Sequence, residues 1–355
     1  MADEDWWRRP LGELFGARKV ILAGGVAAGW APLVPIVRDL GAADVLVAAT
    51  GGRGIGALAD VPHAITDVTV EQTDFMARVR AELDALRTPP PELAAAIEAF
   101  DPDRSAVVLG VFLNEATHLA GRPFVAFRRR EWVALEDKTN IDALLDRAGV
   151  ARAPSAVVPV AEAARARHEL DAGDGTVWAV DATAGFHGGA TGTRWVVDDA
   201  DAERAARELG AIGRHIRVMP FLEGVATSIH GVVLPDGVAA LRPVELVTLR
   251  RNRELVYSGC ATFWDPPPSV RQEMKEAARR LGEQLRREVD FRGAFTLDGV
   301  ATAEGFRPTE LNPRFGAGLN VMTRGRKDVP LLLILDLVVA GHRLDITARE
   351  LEALL

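Results

Sequence analysis

The stretch T-E-L-N-P-R-F-G-A-G, residues 309–318, follows one strand-like run and precedes a helical one. Glu310, Asn312 and Arg314 occupy alternate positions, and on a strand alternate residues share a face. An acid, an amide and a guanidinium would therefore look into one space. A solvated strand face is the plain alternative. Pro313 between two of the groups, and the glycines that follow, argue against it, because they favour close approach of backbone to a ligand.

Working outward, Asp298 stands twelve residues before Glu310, at the end of A-F-T-L-D. With a turn near 299–305, the two runs form an antiparallel pair that brings Asp298 beside Glu310 and Asn312. Two carboxylates and an amide oxygen are hard donors, the kind Mg²⁺ takes when it also holds substrate phosphates. Arg314 on the same face offers a planar fork of donors to a phosphate or carboxylate. A metal with an arginine beside it suits phosphoryl transfer.

Further upstream, A-G-F-H-G-G-A-T-G (184–192) joins two strand-like runs and includes Gly185, Gly188 and Gly189. Such a loop can lay its backbone N–H groups over phosphates as a cover. Glycine-rich hairpin turns are also common without any ligand. His187 within the loop either touches a phosphate or faces solvent. Lys138, in L-E-D-K-T-N at a helix start, is a point charge within reach of a phosphate, although most lone lysines are simply solvated.

The chain has 355 residues, enough for two or three domains at about 150 residues each. Its net charge of −8 argues against a nucleic-acid partner, which would call for a basic stripe. Cys260 is the lone cysteine, so no intrachain disulfide forms, and a reducing, cytoplasmic setting is expected. Two apolar runs raise the question of a membrane. Residues 20–37 contain three glycines and two prolines and follow an acidic opening, which reads as strand, turn and helix. Residues 329–341 are too short to span a bilayer and contain Asp336, so they read as a buried helix. No membrane association is expected.

The first 130 residues alternate strand-like and helix-like segments, K-V-I-L-A, P-L-V-P-I-V-R-D-L-G and D-V-L-V-A-A, as in a parallel α/β sheet. S-A-V-V-L-G-V-F (105–112) and P-F-V-A-F-R (123–128) read as further strands, and 131–149 has helical periodicity ended by Gly149. Beyond that come strands flanking the glycine loop, a charged helix at 199–210 and two strands in 216–234. A hairpin at 245–259 and a helix at 269–288 precede the Asp298 and Glu310 strands.

The D-K helix start, the strand–glycine loop–strand, the M-P-F-L-E-G strand, the Asp298 strand and E-L-N-P-R resemble, in this order, the ATP-grasp superfamily over roughly residues 130–325. The resemblance implies an α/β N-terminal domain (1–130) followed by an α+β ATP-grasp domain of two lobes (131–215, with the glycine loop, and 216–355, with the C-terminal helices). It implies ATP with Mg²⁺ or Mn²⁺, and a ligase that activates a carboxylate as an acyl phosphate and passes it to an amine. Asp298, Glu310 and Asn312 would hold the metal, and Arg314 would steady the acyl phosphate. Lys138 and the glycine loop would meet the phosphates. Met219, Pro220, Phe221 and Leu222 would present backbone to adenine, with Glu223 on the ribose. By analogy the substrates are an amino acid or small peptide and an amine; a homodimer is left open. One departure stands out. The family carries a second lysine on the strand entering the glycine loop, where this chain has Val180 and Asp181, and Arg194 on the returning strand is the expected substitute.

Two other readings remain. Gly54, Gly56 and Ala59 form G-x-G-x-x-A after a strand, with Asp74 twenty residues on, which would suit an NAD(P)-dependent oxidoreductase. Asp74 sits at a helix start, however, where a dinucleotide site wants its acid at the end of the next strand. The missing lysine favours a nucleotide-binding protein without catalysis. Asn114, Glu115 and His118 follow a strand end and either contact substrate or cap a helix.

Overall fold

The computed structural model describes residues 5–52, 60–68, 75–182, 188, 190–323 and 329–355. The chain divides into two compact units, Met1–Arg130 with Lys327–Thr347, and Glu131–Arg326 with Ala348–Leu355. The apolar run near the C-terminus thus returns to the first unit, whereas the sequence places all of 216–355 in one lobe. Its helix, Leu331–Ala340, is buried along one side and packs against the first helix, Asp5–Phe15.

The first unit is built on a parallel sheet in the order β3-β2-β1-β4: β1 Lys19–Ala23, β2 Asp44–Ala49, β3 His63–Ile65 and β4 Val107–Gly110. β1 and β2 are apolar along nearly their whole length because helices cover such sheets on both faces. Helices Phe75–Arg87 and Pro91–Phe100 contribute Leu83, Leu86, Leu93 and Ile97 to the core beside Ile21 and Val108. The run 123–128 is not a strand. Only β5 His118–Leu119 and β6 Arg122–Pro123 pair there, with one bridge from Phe124 to Val108.

The second unit carries two antiparallel sheets. One has the order β7-β10-β8-β9: β7 Ala156–Pro159, β8 Thr176–Val180, β9 Thr193–Val196 and β10 His215–Pro220. The other has the order β14-β13-β11-β15-β16, with β12 paired to β11: β11 Val225–Leu234, β12 Gly237–Ala240, β13 Val244–Arg251, β14 Glu254–Ala261, β15 Gly293–Thr302 and β16 Gly305–Asn312. Trp178 and Val180 of β8 join Ile216 and Val218 of β10 in the core behind the first of these sheets. Alternation turns Val177, Ala179, Arg217 and Met219 to the opposite face.

The expected helix at 131–149 is broken. A short helix Arg130–Val133 and a 3-10 turn Ala134–Glu136 precede helix Ile141–Ala148. Asp137 causes the break: its carboxylate accepts from the Thr139 N–H at 2.9 Å and hydroxyl at 2.6 Å, a local bond that competes with helix. The same carboxylate accepts from Ala182 N, just beyond β8, at 3.2 Å. Trp132, whose indole donates to the Val289 carbonyl at 3.0 Å, anchors the start of this segment. No described helix is long and apolar enough to cross a membrane.

Candidate active site

Between the two sheets of the second unit lies a cleft of about 560 Å³. At its floor the β15–β16 hairpin sets Asp298 directly opposite Glu310, and Thr296 opposite Asn312, with a bulge after Asp298. Directly opposed residues of an antiparallel pair share a face, so the alternation seen in the sequence does collect these groups. Lys138, delivered by the Asp137 break, meets Glu310 at 2.6 Å. Arg314 donates to Glu136 Oε1 at 2.8 Å and to Asn312 Oδ1 at 2.9 Å. Asn312 Nδ2 donates to Asp298 Oδ2 at 2.9 Å, and the Ser228 hydroxyl donates to Asp298 Oδ1.

Burial, and then the like charge of Glu310, push Asp298 up to about 7 against the opposing pull of Ser228, Arg314 and Lys138. Two carboxylates facing each other in a half-buried cleft are a poorly neutralised pair. A hard dication would relieve that repulsion, so the donor set fits Mg²⁺. Asn312 joins such a set only if its amide turns over, since its oxygen faces Arg314. Among the described residues no three His, Cys, Asp or Glu cluster as metal ligands, so the amide is the third donor on offer.

The remaining expected residues divide. Met219, Phe221 and Leu222 line the cleft, as does Gly188. Pro220 is not among the lining residues. Glu223 instead pairs with Arg250 at 3.0 Å, and that guanidinium lies over the Phe221 ring at 4.7 Å. Gly185, His187 and Gly189 lie outside the described residues, as do Gly54, Gly56, Ala59 and Asp74 of the dinucleotide motif. Asn114 bonds the backbone of Ala116 through both amide atoms, and Glu115 pairs with Arg87 at 2.9 Å. His118 is exposed and bonds Thr117.

Arg194 and Asp181 are corrections. Arg194 turns to Glu208 at 2.7 Å and to the carbonyls of Thr191 and Thr193. Asp181 accepts from the Arg214 and His215 amides at 3.0 and 2.7 Å, closing the end of the β8–β10 pair. Neither lines the cleft. The glycines after Arg314 also have an internal reason. A Cβ on Gly316 would come within 2.3 Å of Thr296 Oγ1, and one on Gly318 within 2.3 Å of His230 Cε1.

Several groups of the site were not singled out by the sequence: Arg217, Ser228, His230 and Thr296 line the cleft, and Glu136 holds Arg314. A charge inside the buried strand H-I-R-V-M-P was the available signal for Arg217, since a lone buried charge needs a partner. Burial pushes His230 down to about 3, which keeps the imidazole neutral.

No protein-family model matches the chain, and neither does any curated protein sequence. Solved structures do match. An ADP complex of N5-carboxyaminoimidazole ribonucleotide synthetase aligns with a TM-score of 0.58 at 14% identity, over 93% of this chain and 78% of that one. A biotin carboxylase from Campylobacter jejuni, in complex with β-γ-ATP, gives 0.62 at 15%, over 94% and 73%. A phosphoribosylamine–glycine ligase from Thermotoga maritima gives 0.59 at 14%, over 92% and 76%. This is an ATP-grasp fold. The cleft between the two sheets of the second unit brings Asp298, Glu310, Asn312, Arg314 and Lys138 together.

Proposed function

We propose that the protein is an ATP-dependent carboxylate–amine ligase that works through an acyl phosphate. The observation that carries this reading is the Asp298–Glu310 pair at the floor of the cleft, flanked by Lys138 and Arg314. The named ligase among the similar structures supports it.

Lys138, nine-tenths buried, supplies charge for the nucleotide phosphates. Arg314, held in place by Glu136 and Asn312, faces the position where charge grows as the substrate carboxylate attacks the γ-phosphorus. Preorganised donors of this kind stabilise the transition state without having to reorient. Asp298, Glu310 and Asn312 would hold Mg²⁺, which draws charge from the phosphates in transfer. Met219, Phe221 and Leu222 are among the apolar residues of the cleft wall, suited to an adenine ring. The amine then displaces phosphate to give an amide. An amino acid or small peptide is the substrate class we favour, and the cytoplasm the setting.

Incubating the protein with MgATP and a panel of carboxylates and amines tests this reading. Release of ADP and phosphate only when an acid and an amine are both present is the expected result. AMP and pyrophosphate would overturn the acyl-phosphate route, because adenylation attacks the other end of the triphosphate.

A further inference from the structure

Resting on the nucleotide-binding reading above, we propose that Arg217 supplies the phosphate-binding cation of the β7–β10 sheet, from the strand next to the one where the sequence leads one to expect it.

β8 carries no cation that reaches the cleft. Trp178 and Val180 are turned into the core, and Asp181 is tied to the Arg214 and His215 amides. The cleft-facing residues of β8 are Val177 and Ala179. Ala179 is the direct cross-strand partner of Arg217 on β10. Opposed residues project from the same face with Cβ atoms about 5 Å apart, so Arg217 stands beside a methyl group on the face of the sheet that looks into the cleft. Among the described residues of this sheet that line the cleft, Arg217 is the only cation.

Its bonds leave it able to act. The guanidinium has five N–H donors. Nε and Nη2 go to Asp142, at 3.0 and 2.8 Å, while Nη1 goes to the Thr309 carbonyl and Met219 Sδ, both at 3.2 Å. One Nη2 hydrogen remains without a partner among the described residues. Asp142 is itself shared, accepting from the Ser155 hydroxyl at 2.6 Å and lying 3.8 Å from Arg152. Arg217 is therefore positioned by Asp142 without its charge being wholly consumed by it. The Thr309 bond also ties it to β16, one residue before Glu310, so the same side chain joins the sheet to the strand bearing the proposed metal site.

Arg217→Met keeps much of the side-chain volume and leaves Asp142 with Ser155 and Arg152, so the fold should survive. The dissociation constants of MgATP and of adenosine, measured on the same variant, separate charge from packing. The expected result is MgATP binding weakened by about tenfold or more with adenosine binding unchanged. Arg217→Lys should recover part of the loss. Ala179→Lys in the Arg217→Met background should recover more, since it returns a cation to the vacated space. Equal weakening of both ligands would assign Arg217 a structural role only and overturn the proposal, as would unchanged MgATP binding. A wild-type chain that binds neither ligand would instead overturn the nucleotide-binding reading, and this proposal with it.

Discussion

Two aspartates of the molecule, Asp101 and Asp298, each lie near basic side chains and hydrogen-bond donors and behave in opposite ways. In the first unit, Asp101 and Arg122 are almost wholly enclosed and meet at 2.7 Å. Asp101 also accepts from the Ser105 and Ala106 amides, both at 3.1 Å. Burial works to raise its pKa, but Arg122 and those amides outweigh it and hold Asp101 below the ordinary carboxylate range. In the second unit, burial and Glu310 outweigh Ser228, Arg314 and Lys138, and Asp298 ends near 7. A carboxylate with every lone pair matched is a structural element. One left frustrated beside a second carboxylate, in an open cleft, is poised for a ligand that brings positive charge.

That contrast breaks most visibly at Glu310. Glu310→Gln keeps shape but removes the charge facing Lys138, and should cut turnover roughly a thousandfold, about 4 kcal/mol, while the thermal midpoint stays near that of wild type. Turnover within a few-fold of wild type would remove the cleft from consideration as the reaction site. Asp101→Asn should do the reverse. Leaving Arg122 buried beside a neutral amide should cost about 3 kcal/mol of stability, visible in denaturant unfolding, with the MgATP dissociation constant unmoved. A stable Asp101→Asn protein would show that the pair is dispensable and the comparison misdrawn.

The difference can be sharpened with pH. Asp298 titrates near 7 in the metal-free protein, above its value in an unfolded chain, so the folded form binds the extra proton. Its contribution to stability is therefore present at low pH and lost as pH rises from about 4 towards 7. Thermal midpoints at about pH 5 and about pH 8 should show this loss without Mg²⁺ and a smaller one with it, and Asp298→Asn should flatten the slope. Asp101 has the opposite sign: its contribution is lost only as pH falls below the ordinary carboxylate range. The smallest expected effect is that of Arg194→Ala. Its partly exposed pair with Glu208 is worth less than about 1 kcal/mol, and MgATP affinity should not change. A large loss of affinity there would return Arg194 to the phosphate site.

Much of this was legible along the chain because it depends on local rules. The two-residue period of β16 placed Glu310 and Asn312 on one face, and the twelve-residue spacing let a hairpin bring Asp298 opposite. The charged helix Asp199–Gly210 appeared where its composition put it, and the structure adds Asp198 as its cap, accepting from the Asp201 N–H at 2.8 Å. The helix at 131–149 misled because periodicity registers apolar spacing and is blind to one side chain, Asp137, that bonds its own backbone and breaks the run.

What only the tertiary structure decided is where charges find their partners. Arg194 and Arg217 look alike in sequence, each a lone arginine in a strand. One pairs with Glu208 on the edge strand, and the other lines the cleft, bonded to Asp142 and to the Thr309 carbonyl. Strand order set that outcome, because β10 lies between β7 and β8 while β9 is the edge. Cross-strand neighbours far apart in sequence cannot be read from periodicity. Nor can the burial that lifts Asp298, since desolvation depends on every element packed around a group and on none of them alone.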